Sequence, residues 1–203
     1  LVHALIVISH PISDSLSGHV AQYIADGITQ SNPENSVELA DLAKEGFDPR
    51  FTESDIVAFY KESLPPVDVI AEQSRIALAD ALVLVYPVYW WTMPALLKGW
   101  IDRVFCHGWA YNEHPDGRLE KKLQHLPVHL VAIGAAGRET YLKHGFWDAM
   151  KTQIDHGIFD YCGAPVITSE LLLHPELKDT NAYEEAAYDI GRHIFSMAEV
   201  SEA

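Results

Sequence analysis

The segment between residues 81 and 105 constrains the fold of this chain more than any other. It opens with an uninterrupted apolar run at 81–86, which ends at Pro87. Three large aromatics follow at positions 89–91, and Pro94 then opens an amphipathic stretch. Proline is well tolerated in the first turn of a helix, so this order predicts a buried strand, an aromatic loop and a helix. The three aromatics cannot all point into one core, and we expect at least one to line a pocket for a flat ligand.

Apolar runs and amphipathic stretches alternate along the chain. The pattern predicts strands at residues 2–9, 36–42, 81–86, 127–133 and 165–172. It predicts helices at 16–31, 55–62, 67–80, 94–105, 146–161 (interrupted or ended near Gly157) and 181–198, a short hairpin within 107–124, and a loop at 134–140. This alternation indicates one α/β domain over residues 1–203, with a parallel sheet and right-handed crossovers.

Five strands favour a flavodoxin-like three-layer sandwich with strand order 2-1-3-4-5. In such sheets the ligand binds at the carboxyl ends of the strands, at the switch between strands one and three. The loops after strands one, three and four share that edge. We therefore expect these three loops to form the site.

Composition limits the partners and the compartment. The net charge is −15, which argues against nucleic acid and against docking on anionic lipid. The two cysteines, Cys106 and Cys162, form no disulfide framework, so we expect a reducing, cytoplasmic setting. We recognise no signal peptide and no segment long enough to insert in a membrane.

The first loop, residues 9–17, has the composition of an anion site. It lies between a buried strand and a helix start, where free backbone N–H groups and the helix dipole favour a phosphate or pyrophosphate. His10 and the hydroxyls of Ser13, Ser15 and Ser17 add donors. The alternative is that Ser13, Asp14 or Ser15 only caps the helix. GxGxxG and Walker A motifs are absent from the sequence, so neither a Rossmann nor a P-loop reading has support.

The third loop, residues 134–140, is rich in small residues. Gly134, Ala135, Ala136 and Gly137 let backbone approach a ligand closely, and Tyr141 follows. Backbone N–H groups or a nearby tyrosine hydroxyl would stabilise negative charge that develops on a bound ring.

The string from 85 to 111 resembles the NAD(P)H:quinone oxidoreductases with a flavodoxin-like fold. In that family a proline–aromatic–tryptophan–aromatic loop and a following Pro-Ala-hydrophobic-Leu-Lys-Gly-Trp string cradle the flavin. This chain has Pro-Val-Tyr-Trp-Trp at 87–91 and Pro-Ala-Leu-Leu-Lys-Gly-Trp at 94–100, and the match continues through Cys-His-Gly-Trp-Ala-Tyr at 106–111. The resemblance implies cofactor contacts from Pro87, Val88, Tyr89, Trp90 and Trp91.

The other two loops also resemble the family, with departures. Where the family has Ser-aromatic-Asn in the first loop, this chain has Ser15-Leu16-Ser17. The family has a tyrosine after the small-residue loop and a histidine several residues later, where this chain has Trp147, with His144 slightly earlier. The resemblance implies further cofactor contacts from His10, Ser15, Leu16, Ser17, Gly134, Ala135, Ala136 and Gly137, and catalytic roles for Tyr141 and His144.

The resemblance also implies the chemistry. A flavin, FAD with FMN as the alternative, would accept a hydride at N5 from NADPH or NADH and reduce a quinone in a ping-pong cycle. Trp109 and Tyr111 would line the substrate pocket from the partner subunit of a homodimer, or else form a hydrophobic dimer contact that does not touch the substrate. Two alternatives stay open: an ancillary subunit of a glutathione-gated potassium efflux transporter, which the same string resembles, and a flavodoxin-type electron carrier.

Other catalytic constellations are not supported. His125 and His129 are separated by Pro127, so they do not share a helical face as zinc ligands would, and we expect no metal site. Cys106 and His107 are adjacent, and adjacent helical residues do not face each other. The GxSxG elbow of hydrolases is absent from the sequence.

Overall fold

Residues 1–196 are described here from a computed structural model of the chain. The central sheet has five parallel strands in the order β2-β1-β3-β6-β7, which is the order 2-1-3-4-5 expected from the sequence. Its strands are β1 (His3–Ile8), β2 (Ser36–Asp41), β3 (Ala81–Pro87), β6 (Val128–Gly134) and β7 (Val166–Leu173). A separate antiparallel hairpin contains β4 (Tyr111–Glu113) and β5 (Leu119–Lys121). The flavodoxin-like α/β fold is confirmed.

The helices cover both faces of this sheet. They are α1 (Leu16–Ser31), α2 (Glu53–Phe59), α3 (Val67–Ala77), α4 (Ala95–Val104), α5 (Arg138–Lys143), α6 (Phe146–Met150) and α7 (Thr180–His193). A π-helical segment (Lys151–Asp160) continues directly from α6. None of the helices within residues 1–196 is both long and apolar enough to cross a membrane.

Two apolar cores lie on opposite faces of the sheet, because successive residues of each buried strand point to opposite sides. On β1, Leu5 and Val7 face the core beneath α4, while Ala4, Ile6 and Ile8 face α1 and α7. β3 and β6 are buried on both faces, as parallel strands between helix layers usually are. These two strands form the rigid floor of the carboxyl edge.

The structure corrects three sequence expectations. The predicted loop at 134–140 is shorter, because Gly134 ends β6 and α5 begins at Arg138. Gly157 neither interrupts nor ends the helix that starts at Phe146, because the chain stays helical through it in π-type turns. The expected end of the last helix at Ala198 lies outside the described residues, and the observed α7 ends at His193.

The connections between strands lie at two opposite edges of the sheet, the carboxyl edge and the amino edge. Because the five strands are parallel, the loops after β1, β3 and β6 leave one edge of the sheet, as expected. The insertion, residues 105–127, joins α4 to the start of β6 and lies at the opposite, amino edge. There the N–H of Leu123 donates to the carbonyl of Cys162, shortly before β7 begins, at 3.0 Å.

Candidate functional site

The aromatic turn, residues 89–92, is the most unusual backbone feature of the carboxyl edge. The Tyr89 N–H donates to the Thr92 carbonyl at 3.0 Å, and the Thr92 N–H donates back to Tyr89 at 3.1 Å. Trp90 and Trp91, the two central residues, have φ values of 46° and 62°. Two successive positive φ values define a type I′ turn, which normally uses Asn and Gly. The left-handed region costs about 1–2 kcal/mol for each non-glycine residue, so strain is stored here.

The turn gives its two tryptophans different surroundings. Trp91 is half-buried, and its ring stacks on Phe146 with centroids 3.9 Å apart and planes 12° apart. It also meets Tyr141 edge to face at 5.3 Å. Trp90 is 91% exposed, and Tyr89 beside it is 44% exposed. The flat surfaces of both therefore remain available at the edge of the sheet.

Pro87 and Val88 connect this turn to the sheet. Pro87 is the last residue of β3 and pairs with Ile133. The Val88 N–H donates to the Ile133 carbonyl at 2.8 Å, and the half-buried Val88 side chain packs on the core beneath α4. The aromatic turn is thereby fixed beside the end of β6.

Tyr141 and Gly134 meet at the end of β6. A Cβ placed on Gly134 would lie 2.5 Å from the Tyr141 hydroxyl oxygen, so only glycine leaves room for this tyrosine. The Tyr141 ring is buried, and desolvation raises the pKa of its hydroxyl. A raised pKa keeps the hydroxyl protonated near neutral pH, where it acts as a hydrogen-bond donor.

Backbone N–H groups without a partner line the aromatic turn and the small-residue loop at 134–137. Within residues 1–196, the N–H groups of Trp90, Trp91, Ala135, Ala136 and Gly137 donate to no other group of the chain. A Cβ on Gly137 would meet only the Pro175 ring, at 3.9 Å, so the loop is open. Backbone donors without partners are normally satisfied by water or by a ligand.

His144 lies in the same aromatic cluster but at its outer side. It is exposed, it ends α5, and its ring stacks on Phe146 at 5.3 Å with planes 26° apart. Phe146 therefore links His144 to Trp91. The sequence offered no local signal for Phe146, because its role depends on contacts between separate loops.

The first loop combines both readings that the sequence left open. Ser15 is the N-cap of α1, and its hydroxyl accepts from the Gly18 N–H at 3.1 Å, so the capping alternative is confirmed for this residue. The N–H groups of Leu16 and Ser17 nevertheless have no acceptor within residues 1–196. The first turn of α1 carries no acidic residue. An anion at this helix end would meet free donors and the positive end of the helix dipole.

Two further polar groups lie near the end of β1. The His10 ring turns back on its own loop: Nδ1 lies 3.0 Å from the Ile12 nitrogen and 3.1 Å from the Ile12 carbonyl oxygen, and Nε2 has no partner within the described residues. The Ser9 side chain is 1% exposed, and its Oγ has no hydrogen-bond partner in the described part of the chain. A buried hydroxyl without a partner is uncommon and fits a site completed by a bound polar group.

Trp109 and Tyr111 do not join this cluster within one chain. Both belong to the insertion at the amino edge, where Trp109 meets Phe105 at 5.8 Å and Tyr111 meets Tyr161 at 5.2 Å. Tyr111 helps to line a cavity of about 190 Å³ there. These two residues would reach the carboxyl-edge loops only if a second copy of the chain brought them.

Comparison with known proteins gives one family. Residues 2–194 match the family described as having a flavodoxin-like fold. An uncharacterized NAD(P)H oxidoreductase of Haemophilus influenzae is 32% identical over 183 residues, covering 88% of this chain and 87% of the relative. The human ribosyldihydronicotinamide dehydrogenase (quinone) is 29% identical over 195 residues, covering 85% of this chain and 82% of the relative. The solved NAD(P)H:quinone oxidoreductase from Methanothermobacter marburgensis superposes with a TM-score of 0.84 at 25% identity, covering 94% of this chain and 98% of that chain.

Proposed function

The chain belongs to the flavodoxin-like family, and from that premise we propose that it is a flavin-dependent NAD(P)H oxidoreductase that reduces quinones. The observation that carries the proposal is the meeting of three donor-rich loops at one edge of the sheet. These are the loop that leads into α1, with the unpaired N–H groups of its first turn, the aromatic turn, and the small-residue loop at 134–137. Together they suit a ligand with a phosphate at one end and a flat ring at the other.

Each loop has its own part in binding. The Leu16 and Ser17 N–H groups and His10 would hold phosphate oxygens, with Ser15 fixing the helix start. The aromatic turn would support the ring system through side-chain faces and through the N–H groups of its two tryptophans. A bound flavin would supply the two-electron chemistry between NAD(P)H and the quinone.

The small-residue loop and Tyr141 would stabilise negative charge that develops on the bound ring. N–H groups that are already in place stabilise negative charge without reorganising, and the Ala135, Ala136 and Gly137 amides have no competing acceptor within residues 1–196. The Tyr141 hydroxyl is protonated at neutral pH, and burial raises its pKa further from that range, so it would donate to an adjacent oxygen. His144, exposed at the outer side of the cluster, would act at the solvent-facing border of the site.

The order of binding and the oligomer are part of the proposal. NAD(P)H and the quinone would occupy the same open face in turn, which gives ping-pong kinetics. A homodimer would place Trp109 and Tyr111 of a second copy over that face, since within one chain they lie at the amino edge. FAD remains the preferred flavin and FMN the alternative; heat release followed by chromatography identifies which one the protein retains.

The decisive experiment is anaerobic spectroscopy of the purified protein. We expect flavin absorption at about 370 and about 450 nm that bleaches with NADPH and returns with menadione. Bands that do not bleach would point instead to a carrier or a transporter subunit. No bands after incubation with FAD and FMN would refute the proposal.

A pair of variants tests whether the Tyr141 hydroxyl contributes to turnover. Tyr141→Phe keeps the ring against Trp91 but removes the hydroxyl, and we expect turnover to fall by about 10²-fold, typical for loss of one stabilising donor. Tyr188→Phe, on α7, is the matched control and should retain wild-type turnover. Equal turnover in all three proteins would remove Tyr141 from the mechanism.

A further inference from the structure

Three aromatic rings lie in one row beside the aromatic turn. Phe146 is the middle ring, with Trp91 at 3.9 Å on one side and His144 at 5.3 Å on the other. The planes differ by 12° and 26°, so both contacts are stacked. Phe146 is thus in contact with both a residue of the turn and the residue that ends α5.

The ring that Phe146 covers belongs to a residue with an unfavourable backbone conformation. Trp91 has a φ of 62° and follows Trp90, whose φ is 46°. Bulky side chains rarely occupy this region, and Trp-Trp is not a sequence that favours a type I′ turn. Something outside the turn must hold it. The stacked contact with Phe146 fixes the Trp91 ring, while the contact with Tyr141 is only edge to face.

Phe146 is anchored on an element separate from the aromatic turn. It opens α6, directly after Gly145, whose φ of 69° sets the bend between α5 and α6. It is half-buried and packs on the core beneath α4. A ring anchored on a separate helix can therefore resist relaxation of the turn.

We propose that Phe146 is a positioning residue: as the middle ring of the stack it holds the aromatic turn in its left-handed conformation, and through the turn it sets how tightly the flavin is bound. The first half of this inference concerns the protein alone. The second half rests on the proposed function, because it needs a flavin at the turn.

Amide hydrogen exchange tests the first half without any cofactor. The Tyr89 and Thr92 amides are protected by the two hydrogen bonds that close the turn. Phe146→Leu keeps an apolar side chain but removes the ring, and we expect these two amides to exchange about tenfold faster, since local opening controls their exchange. Phe146→Tyr keeps the stacked ring and should restore slow exchange. Unchanged exchange in Phe146→Leu would overturn the inference.

Flavin affinity tests the second half. We expect the Kd for FMN or FAD to rise about tenfold in Phe146→Leu, equivalent to about 1.4 kcal/mol, and to return to within about twofold of wild type in Phe146→Tyr. A flavin Kd that stays at the wild-type value in Phe146→Leu would overturn this half.

A matched control separates positioning from general loss of stability. Tyr188→Leu removes a half-buried ring from another aromatic pair, Tyr23–Tyr188 at 5.8 Å, far from the turn in sequence and on α7. It should change neither the exchange of the turn amides nor the flavin Kd. If it changes both as much as Phe146→Leu does, the effect is global and the inference is wrong. If wild-type protein binds neither flavin, the proposed function and the second half fall together, and exchange alone decides the first.

Discussion

His129 is a buried histidine whose titration should be visible in the stability of the whole protein. His129 lies on β6 and is 1% exposed. Its Nδ1 lies 2.8 Å from the Thr168 hydroxyl oxygen, and its Nε2 has no hydrogen-bond partner within the described residues. Burial alone lowers the pKa of the ring from 6.5 to about 4. A histidine with no charged partner resists protonation because the imidazolium would lose its hydration.

The sign and size of the effect follow from that lowering. Because the folded pKa lies below the unfolded one, neutral His129 contributes stability above pH 6.5, and this contribution is lost as the pH falls through 4. A lowering from 6.5 to about 4 corresponds to about 3 kcal/mol, since one pKa unit is about 1.4 kcal/mol. About 2 kcal/mol of this should already be lost at a pH of about 4.5.

Urea unfolding of wild type and His129→Leu at a series of pH values measures this contribution. Leucine removes the titration, whereas all other acid-sensitive groups are common to both proteins. We expect the wild type to lose about 2 kcal/mol relative to His129→Leu between neutral pH and a pH of about 4.5. A difference between the two proteins that stays constant over this range would show that the ring is not held neutral, and the reasoning would fail.

Three further changes test close approaches and the buried ion pair. Gly134→Ala would place a Cβ 2.5 Å from the Tyr141 hydroxyl oxygen and 2.9 Å from Leu173 Cδ2, so we expect a loss of about 1–3 kcal/mol in urea unfolding and a flavin Kd about tenfold higher in equilibrium binding. Gly191→Ala would place a Cβ 2.2 Å from a backbone carbonyl of α1, so urea unfolding should report a loss of about 1–3 kcal/mol. Arg103→Met would leave the buried Asp55 carboxylate without its cation and should cost about 3–5 kcal/mol in the same assay, whereas a loss below about 1 kcal/mol would refute the pairing argument.

The elements that the sequence predicted well are those with agreeing local signals. α1 begins and ends where the sequence placed it, because Ser15 caps its start and an apolar stripe defines its length. β3 was equally clear from its apolar run. α5 was missed because it has only six residues and no side-chain cap, so nothing local marks its start. The π-helical segment was read as an ordinary or broken helix, because side-chain patterns do not report a backbone hydrogen-bond register.

The candidate site likewise contains parts that the sequence could predict and parts that it could not. The loops that contain His10, Trp90 and Gly137 could be placed from the strand order alone, since parallel strands bring their carboxyl ends together. The aromatic turn could not be predicted, because two tryptophans at positive φ contradict local preference. Phe146 depends on a contact between α6 and that turn, which no local pattern encodes. Departures from local rules are expected where structure serves binding.

The fold can tolerate the strained turn because both flanking elements are anchored outside it. β3, before the turn, is buried along six consecutive residues and hydrogen-bonds to strands on both sides. α4, after it, is tied down by the buried Trp100, whose indole N–H donates to a Glu72 carboxylate oxygen at 2.8 Å, and by the buried pair of Arg103 and Asp55. Two left-handed tryptophans cost about 2–4 kcal/mol together, which is comparable to what breaking one such buried pair would cost. Anchoring of this kind fixes where the turn begins and ends. It does not fix the conformation between those points, which is why a contact to the turn itself is required and why Phe146, rather than the core beneath α4, should control it.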